Sequence, residues 1–333
     1  MPYNFAVGTQ LDRAERDVEE HSAALRKPLG LRDLVLTQIL FVVGSSWVGA
    51  AAKLGKAHLF FWLLAILLFY VPQAAVVIYL NRLMPLEGGI YQWAKLGFNE
   101  FAGFIVAWNL WLLSITVIAL MFILGTSSVL AFIGNNPIDL IGPVPQTLRL
   151  GLRSFPIAGA VASIGILLMT VRTISSTSVH VTGSSRLPMV AGWDQLLPSW
   201  FSRLEPRYKT PINSIIFVGA ITLVIAISSQ IGAGLQEAFQ LVDNAANVFY
   251  GIVYAMMFAI PLMGASAVRS GARTWLRLAA LCGFAVSLLA IFFTVYPIID
   301  VPSPLTFAAK IVTVIVIANA IGGAIFVIGK KRR

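Results

Sequence analysis

The sequence predicts an all-α protein, a polytopic transmembrane bundle of about eight helices, from three observations: recurrent apolar windows, scarce charge, and the placement of that charge. Of its 333 residues, 58% are hydrophobic and 11% are charged, against roughly 25% charged in a soluble domain. Most of the surface therefore faces something other than water. Runs of the ~20 apolar residues needed to cross a bilayer's hydrocarbon core recur at 34–51, 58–81, 101–133, 155–183, 212–231, 236–264, 276–298 and 304–329. The third run is long enough to imply a tilted helix, and the fourth is interrupted by polar residues.

The net charge of +10 does not indicate a nucleic-acid partner, because the basic residues lie between apolar runs and at the two ends rather than on one polar domain. It reads instead as topology, since Lys and Arg are retained on the cytoplasmic side during insertion. With the amino terminus inside, the inner segments carry Arg13, Arg16, Arg26, Lys27 and Arg32, then Arg82 and Lys95, then Arg186, Arg203, Arg207 and Lys209. Further along they carry Arg269, Arg273 and Arg277, and finally Lys330 to Arg333. The outer segments hold Lys53, Lys56, Arg149 and Arg153, with Lys310 at a helix entrance. Both termini are thus expected in the cytoplasm. Residues 1–32 are polar and of mixed charge, without the short apolar core of a secretory signal. They are expected to form a cytoplasmic tail, followed by a transmembrane region over 33–329 and a basic cytoplasmic end at 330–333.

Polar residues inside the apolar runs are the candidate functional groups, taken here in chain order. The first span is broken by Gly44-Ser45-Ser46-Trp47-Val48-Gly49. Glycine beside serine lowers helix propensity, and unwound backbone at membrane depth is tolerated only where it lines a cavity or is buried in protein. Such a break exposes amide N–H groups at the start of a half-helix, which favours a carboxylate. The competing reading is that these small residues let helices pack closely. On the third span, Trp108, Asn109 and Trp111 would supply an aromatic wall and a polar contact, or the tryptophans would be interfacial anchors.

Arg172 falls near the centre of the fourth span, where a charge costs at least ~2.5 kcal/mol unless it is paired or hydrated. Ser176 and His180 follow at i+4 and i+8, so the three share one face that would line an aqueous path. Alternatively the helix is shifted and Arg172 snorkels to the inner interface. In the sixth span Asp243, Asn247, Tyr250 and Tyr254 form one stripe on an apolar helix. A stripe of this kind faces protein or water, and Asp243 would bind a cation, carry a proton, or cap the helix in solvent.

Enzyme chemistry is not expected. The sequence has no phosphate-binding glycine loop, no Gly-x-Ser-x-Gly elbow and no metal-ligand spacing, so neither catalytic residues, a metal nor a cofactor is assigned. Its one cysteine, Cys282, sits in an apolar run and excludes an intrachain disulfide.

Two segments carry a family resemblance. The Gly44-Ser45-Ser46 break, followed after the second span by Pro85-Leu86-Glu87-Gly88-Gly89-Ile90-Tyr91-Gln92-Trp93, resembles the amino-acid/polyamine/organocation permeases. The stretch containing Arg186-Leu187-Pro188, Gly192-Trp193-Asp194, Leu197-Pro198 and Arg207-Tyr208-Lys209-Thr210-Pro211 is similar to that family's cytoplasmic loop between its eighth and ninth helices. The resemblance implies a LeuT-like inverted-repeat bundle of discontinuous helices, with an amino acid or amine bound near the midplane and alternating access coupled to H+, Na+ or solute exchange. The amides around Gly44, Ser45 and Ser46 would then hold the substrate carboxylate, with Gly49 permitting close approach and Trp108 and Asn109 contributing by their span. The implied location is the plasma membrane, the inner membrane of a bacterium.

The departure from the family pattern is a joint at 134–138, where the third helix runs directly into the segment preceding the eighth. About four central helices are missing, including the second broken helix. Two readings follow: a permease, with another membrane chain supplying the absent helices, or a permease-derived protein that no longer transports, acting as a binding partner or sensor or arising as a truncated product.

Overall fold

The computed structural model describes residues 16, 30–42, 55–86, 88–133, 156–193, 198–207, 209–228, 235–296 and 303–332. The described residues are helical with short connections, and no strand occurs among them. In chain order the helices are α1 (Leu31–Val42), α2 (His58–Leu83), α3 (Ile90–Gly97), α4 (Glu100–Ile133) and α5 (Pro156–Trp193). They continue with α6 (Ile212–Ser228), α7 (Leu235–Met263), α8 (Ser266–Gly271), α9 (Thr274–Val295) and α10 (Pro304–Arg332).

Five of them, α2, α4, α7, α9 and α10, are long and apolar enough among the described residues to cross a membrane. The protein is a multi-pass membrane protein. Two helices form its centre: α4 and α7 have 56% and 61% of their most apolar stretch buried, against 17% for each of α2, α9 and α10. Around the C-terminal half of α7, Val253, Met257 and Phe258 pack with Val76 and Leu80 of α2, Trp93 of α3 and Leu276 and Ala280 of α9. A second cluster joins Trp111, Ile115 and Ile118 of α4 to Val218 of α6 and Phe249 of α7. Val248 of α7 meets Phe307 and Ile311 of α10.

Within a bilayer every backbone polar group has to be satisfied by protein, and α2 illustrates how. Its winding loosens to a π-helical turn over Ile66–Tyr70, immediately before Pro72. Proline has no N–H to offer the carbonyl four residues back, that of Leu68. The Cys282 thiol of α9 donates to this carbonyl at 3.3 Å, so the lone cysteine closes a gap in a neighbouring helix.

The Pro85–Trp93 segment turns the chain from α2 into α3. Gly88 and Gly89 take positive φ values of +101° and +48°, conformations that other residues adopt only with strain. The Trp93 indole N–H donates to the Met84 carbonyl at 3.0 Å, which ties the beginning of α3 to the end of α2. Further bonds gather the same end of the bundle: Ala265 N–H to the Gly97 carbonyl at 2.6 Å and the Tyr79 hydroxyl to the Val268 carbonyl at 2.5 Å. Arg82, Lys95, Arg269, Arg273 and Arg277 belong to these segments, so residues that the sequence assigns to one side of the membrane do converge.

The stretch Arg186–Trp193 differs from its expectation as part of a loop: it continues α5. The loop proper begins later. Asn213 Nδ2 donates to the Trp200 carbonyl at 2.8 Å and Ser214 Oγ to the Phe201 carbonyl at 3.0 Å, folding it back on the start of α6.

Candidate functional site

The first-span residues Gly44, Ser45, Ser46 and Gly49 lie outside the described residues, as do the joint at 134–138 and Glu87. The remaining candidates fall on α4, α5 and α7.

On α4, Asn109 is completely buried. Its Nδ2 donates to the Ile105 carbonyl at 2.8 Å and to Asn319 Oδ1 of α10 at 2.7 Å. Asn319 Nδ2 returns a bond to Asn109 Oδ1 at 3.3 Å and donates to the Ile315 carbonyl at 3.0 Å. Directly beside this pair, the Trp108 indole N–H donates to the Ala318 carbonyl at 2.9 Å. This close approach requires Gly322, where a Cβ would stand 2.5 Å from Trp108 Nε1. Both predicted contact residues thus have their polar groups engaged with α10. An interhelical amide bond in a membrane is worth ~0.6–2 kcal/mol, so the pair fastens α10 to the buried centre.

The aromatic wall continues along α4. Trp108 stacks on Phe104 with centroids 6.1 Å apart and meets Trp111 at 5.1 Å, and Trp111 stacks on Phe217 of α6 at 5.8 Å. Trp111 is almost fully buried, with no hydrogen-bond partner for its Nε1. Its role is that of packed wall.

Arg172, Ser176 and His180 share a face of α5, where Ser176 is buried and the other two are half-buried. His180 Nδ1 bonds the Ser176 carbonyl at 2.8 Å. Ser175, Thr177 and Thr182 donate back to carbonyls of their own helix at 2.9, 2.7 and 2.9 Å, which lets a run of hydroxyl residues continue as helix. At 38 residues, α5 is about 57 Å long, nearly twice the ~30 Å hydrocarbon core.

On α7 the stripe is present and reaches a second helix. Asn247 Nδ2 donates to Asp243 Oδ2 at 3.4 Å, and the Tyr250 and Tyr254 hydroxyls bond each other at 2.5 Å. Gln73 Nε2 of α2 donates to the Tyr254 hydroxyl at 3.0 Å. Gln73 and Asn319 are the polar partners that sequence reading missed. Their signal was present: each is an amide within an otherwise apolar run, where an unpartnered amide is costly.

Residues 33–177 match the family of amino acid permeases. Over that stretch, somewhat under half of its length, the chain is similar to amino acid permeases. It is 34% identical over 121 residues to an uncharacterized transporter of Legionella pneumophila, covering 35% of this chain and 26% of the relative. It is 31% identical over 103 residues to cationic amino acid transporter 7, chloroplastic, of Arabidopsis thaliana, with 31% and 16% covered. With the low-affinity putrescine importer PlaP of Escherichia coli it shares 33% over 104 residues, covering 31% and 21%. The chain therefore spans about a quarter or less of the length of the curated relatives it matches. No solved structure matches it. The permease match includes α1 to α4, part of α5, and the residues of the expected joint.

Proposed function

We propose that the chain is a secondary transporter of amino acids or related amines, working in a plasma membrane, the inner membrane of a bacterium, with both termini cytoplasmic. The observation that carries this reading is the permease match over 33–177, because it contains the Gly44–Gly49 segment and the helices leading from it to α4. Relatives named as a cationic amino acid transporter and a putrescine importer support a small amine-bearing cargo. The activity is movement of solute, not covalent chemistry.

In this reading backbone amides around Gly44, Ser45 and Ser46 receive the substrate carboxylate, Gly49 admits it closely, and the Trp108–Asn109 turn forms the wall behind it. The Arg172, Ser176 and His180 face and the Asp243, Asn247 and Tyr250 stripe belong to the polar pathway. Transport is driven by H+, by Na+ or by exchange of a second solute. Because about four helices are absent at the joint, the half-site opposite Gly44 comes from another membrane chain.

Uptake or counterflow of labelled amino acids and diamines into proteoliposomes tests this. The reading expects accumulation above empty vesicles for at least one solute, and Ser45→Pro should abolish it by reshaping the receiving backbone. Correctly folded protein that accumulates nothing across a broad panel, alone or with a co-expressed permease chain, contradicts it; binding without movement favours the non-transporting reading.

A further inference from the structure

Exposed arginines crowd the end of the bundle where α2, α8 and α9 meet. Arg269 lies on α8, Arg273 directly precedes α9, Arg277 follows one turn later, and Arg82 lies in the last turn of α2. The segments are tied together. The Tyr79 hydroxyl of α2 bonds the Val268 carbonyl of α8, and a Cβ at Gly271 would stand 2.9 Å from that hydroxyl. Arg82, three residues beyond Tyr79, flanks the same contact. Arg277 Nη2 donates to the Arg269 carbonyl at 2.6 Å, which holds its guanidinium beside α8 with most of its five N–H donors left over.

Like charges one turn apart repel, and a carboxylate among them would offset this. Among the described residues the ion pair at this end joins Lys330 of α10 to Glu100 of α4 at 3.9 Å, and no acidic side chain reaches Arg82, Arg269, Arg273 or Arg277. Retention of arginine during insertion accounts for the side of the membrane they occupy, not for their convergence without a counter-charge.

Away from the arginines the surface turns apolar. Leu281, Leu288 and Phe292, at i+4, i+11 and i+15 from Arg277, continue its face of α9 and are all exposed. Trp275, 57% exposed, stands between the two arginines of α9. Tryptophan prefers headgroup depth, so the guanidiniums lie at the level of lipid phosphates and the leucines at the level of acyl chains.

We propose that Arg269, Arg273 and Arg277 hold the phosphate of an anionic phospholipid whose acyl chain lies along the Leu281–Phe292 face of α9. Guanidinium forks match phosphate oxygens two at a time, and basic clusters where transmembrane helices end attract anionic lipid. A lipid uses both halves of this surface, whereas free phosphate would use the arginines alone. The site stands whether or not the chain moves a solute.

Native mass spectrometry of the full chain, released from nanodiscs of equal parts dioleoyl phosphatidylglycerol and dioleoyl phosphatidylcholine, tests the assignment. The unaltered protein should retain the anionic lipid about tenfold or more in preference to the zwitterionic one. Arg273→Gln with Arg277→Gln should bring that preference to within about twofold. Lys330→Gln with Lys331→Gln removes the same charge at the same end and should leave the preference intact. Glycerol 3-phosphate, a headgroup without chains, should not displace the lipid. No preference in the unaltered protein, a preference that survives loss of both arginines, an equal loss in the lysine variant, or displacement by glycerol 3-phosphate overturns the lipid site.

Discussion

Helices α7 and α9 pack against each other, but they place their polar groups in opposite directions. On α9 the hydroxyl of Ser287 is buried and bonds the Gly283 carbonyl at 2.8 Å, while leucine and phenylalanine face out. On α7 apolar residues fill the interior and Asn247 and Tyr250 face out. Lipid is as apolar as a protein core, so a lipid-facing helix gains by turning its polar atoms inward. A helix that does the reverse has to meet water or another protein surface. Its exposure is a functional signal where the exposure of α9 is ordinary membrane contact.

The largest expected difference is in core packing. Phe258→Ala should cost ~3–5 kcal/mol by leaving a cavity, whereas Phe292→Ala, 67% exposed, should stay within ~0.5 kcal/mol. Unfolding of both variants in mixed micelles checks this, and equal losses would erase the distinction between central and peripheral helices. Next in size is a pair of adjacent glycines on α10. Gly322→Val drives its Cβ into the Trp108 indole and should cost ~1–3 kcal/mol, while Gly323→Val, with nothing within 4 Å, should cost well under ~1 kcal/mol.

A smaller effect sharpens the account of the amide pair. Asn109→Leu alone should lose ~1–2 kcal/mol, and adding Asn319→Leu should cost less than the sum of the single changes, since the second amide no longer needs a partner. Additive losses in that double-mutant cycle would mean that the two amides are not coupled. The smallest is at the π-helical turn of α2, where Cys282→Ala should cost about 0.5–1 kcal/mol. In a Pro72→Ala background that cost should vanish, because residue 72 then offers its own N–H to Leu68.

Much of this architecture was legible in the sequence because bilayer physics writes it in runs of apolar residues. Seven of the eight windows correspond closely to described helices, from His58–Leu83 to Pro304–Arg332. The helix α3 and the six-residue α8 escaped, being too short and too polar to register as hydropathy windows. The far end of α5 escaped for a different reason: Arg186-Leu187-Pro188 and Gly192-Trp193 resemble a family loop, and proline and glycine ordinarily mark a helix end rather than its continuation. For the site, the α7 stripe was readable from its spacing. Its partners were not, since pairing Gln73 with Tyr254 and Asn109 with Asn319 depends on which helices touch. The permease character rested on short motifs around Gly44 and Glu87, and the match over 33–177 agrees with it.

Amide hydrogen exchange over residues 43–50 in nanodiscs, with and without a transported amino acid, tests the central claim most directly. A broken first span with receptive amides predicts rapid exchange at Gly44–Gly49 relative to α2, slowed when the amino acid is present. Exchange as slow as in α2, and unchanged by any amino acid, would mean continuous helix there and would contradict the carboxylate site.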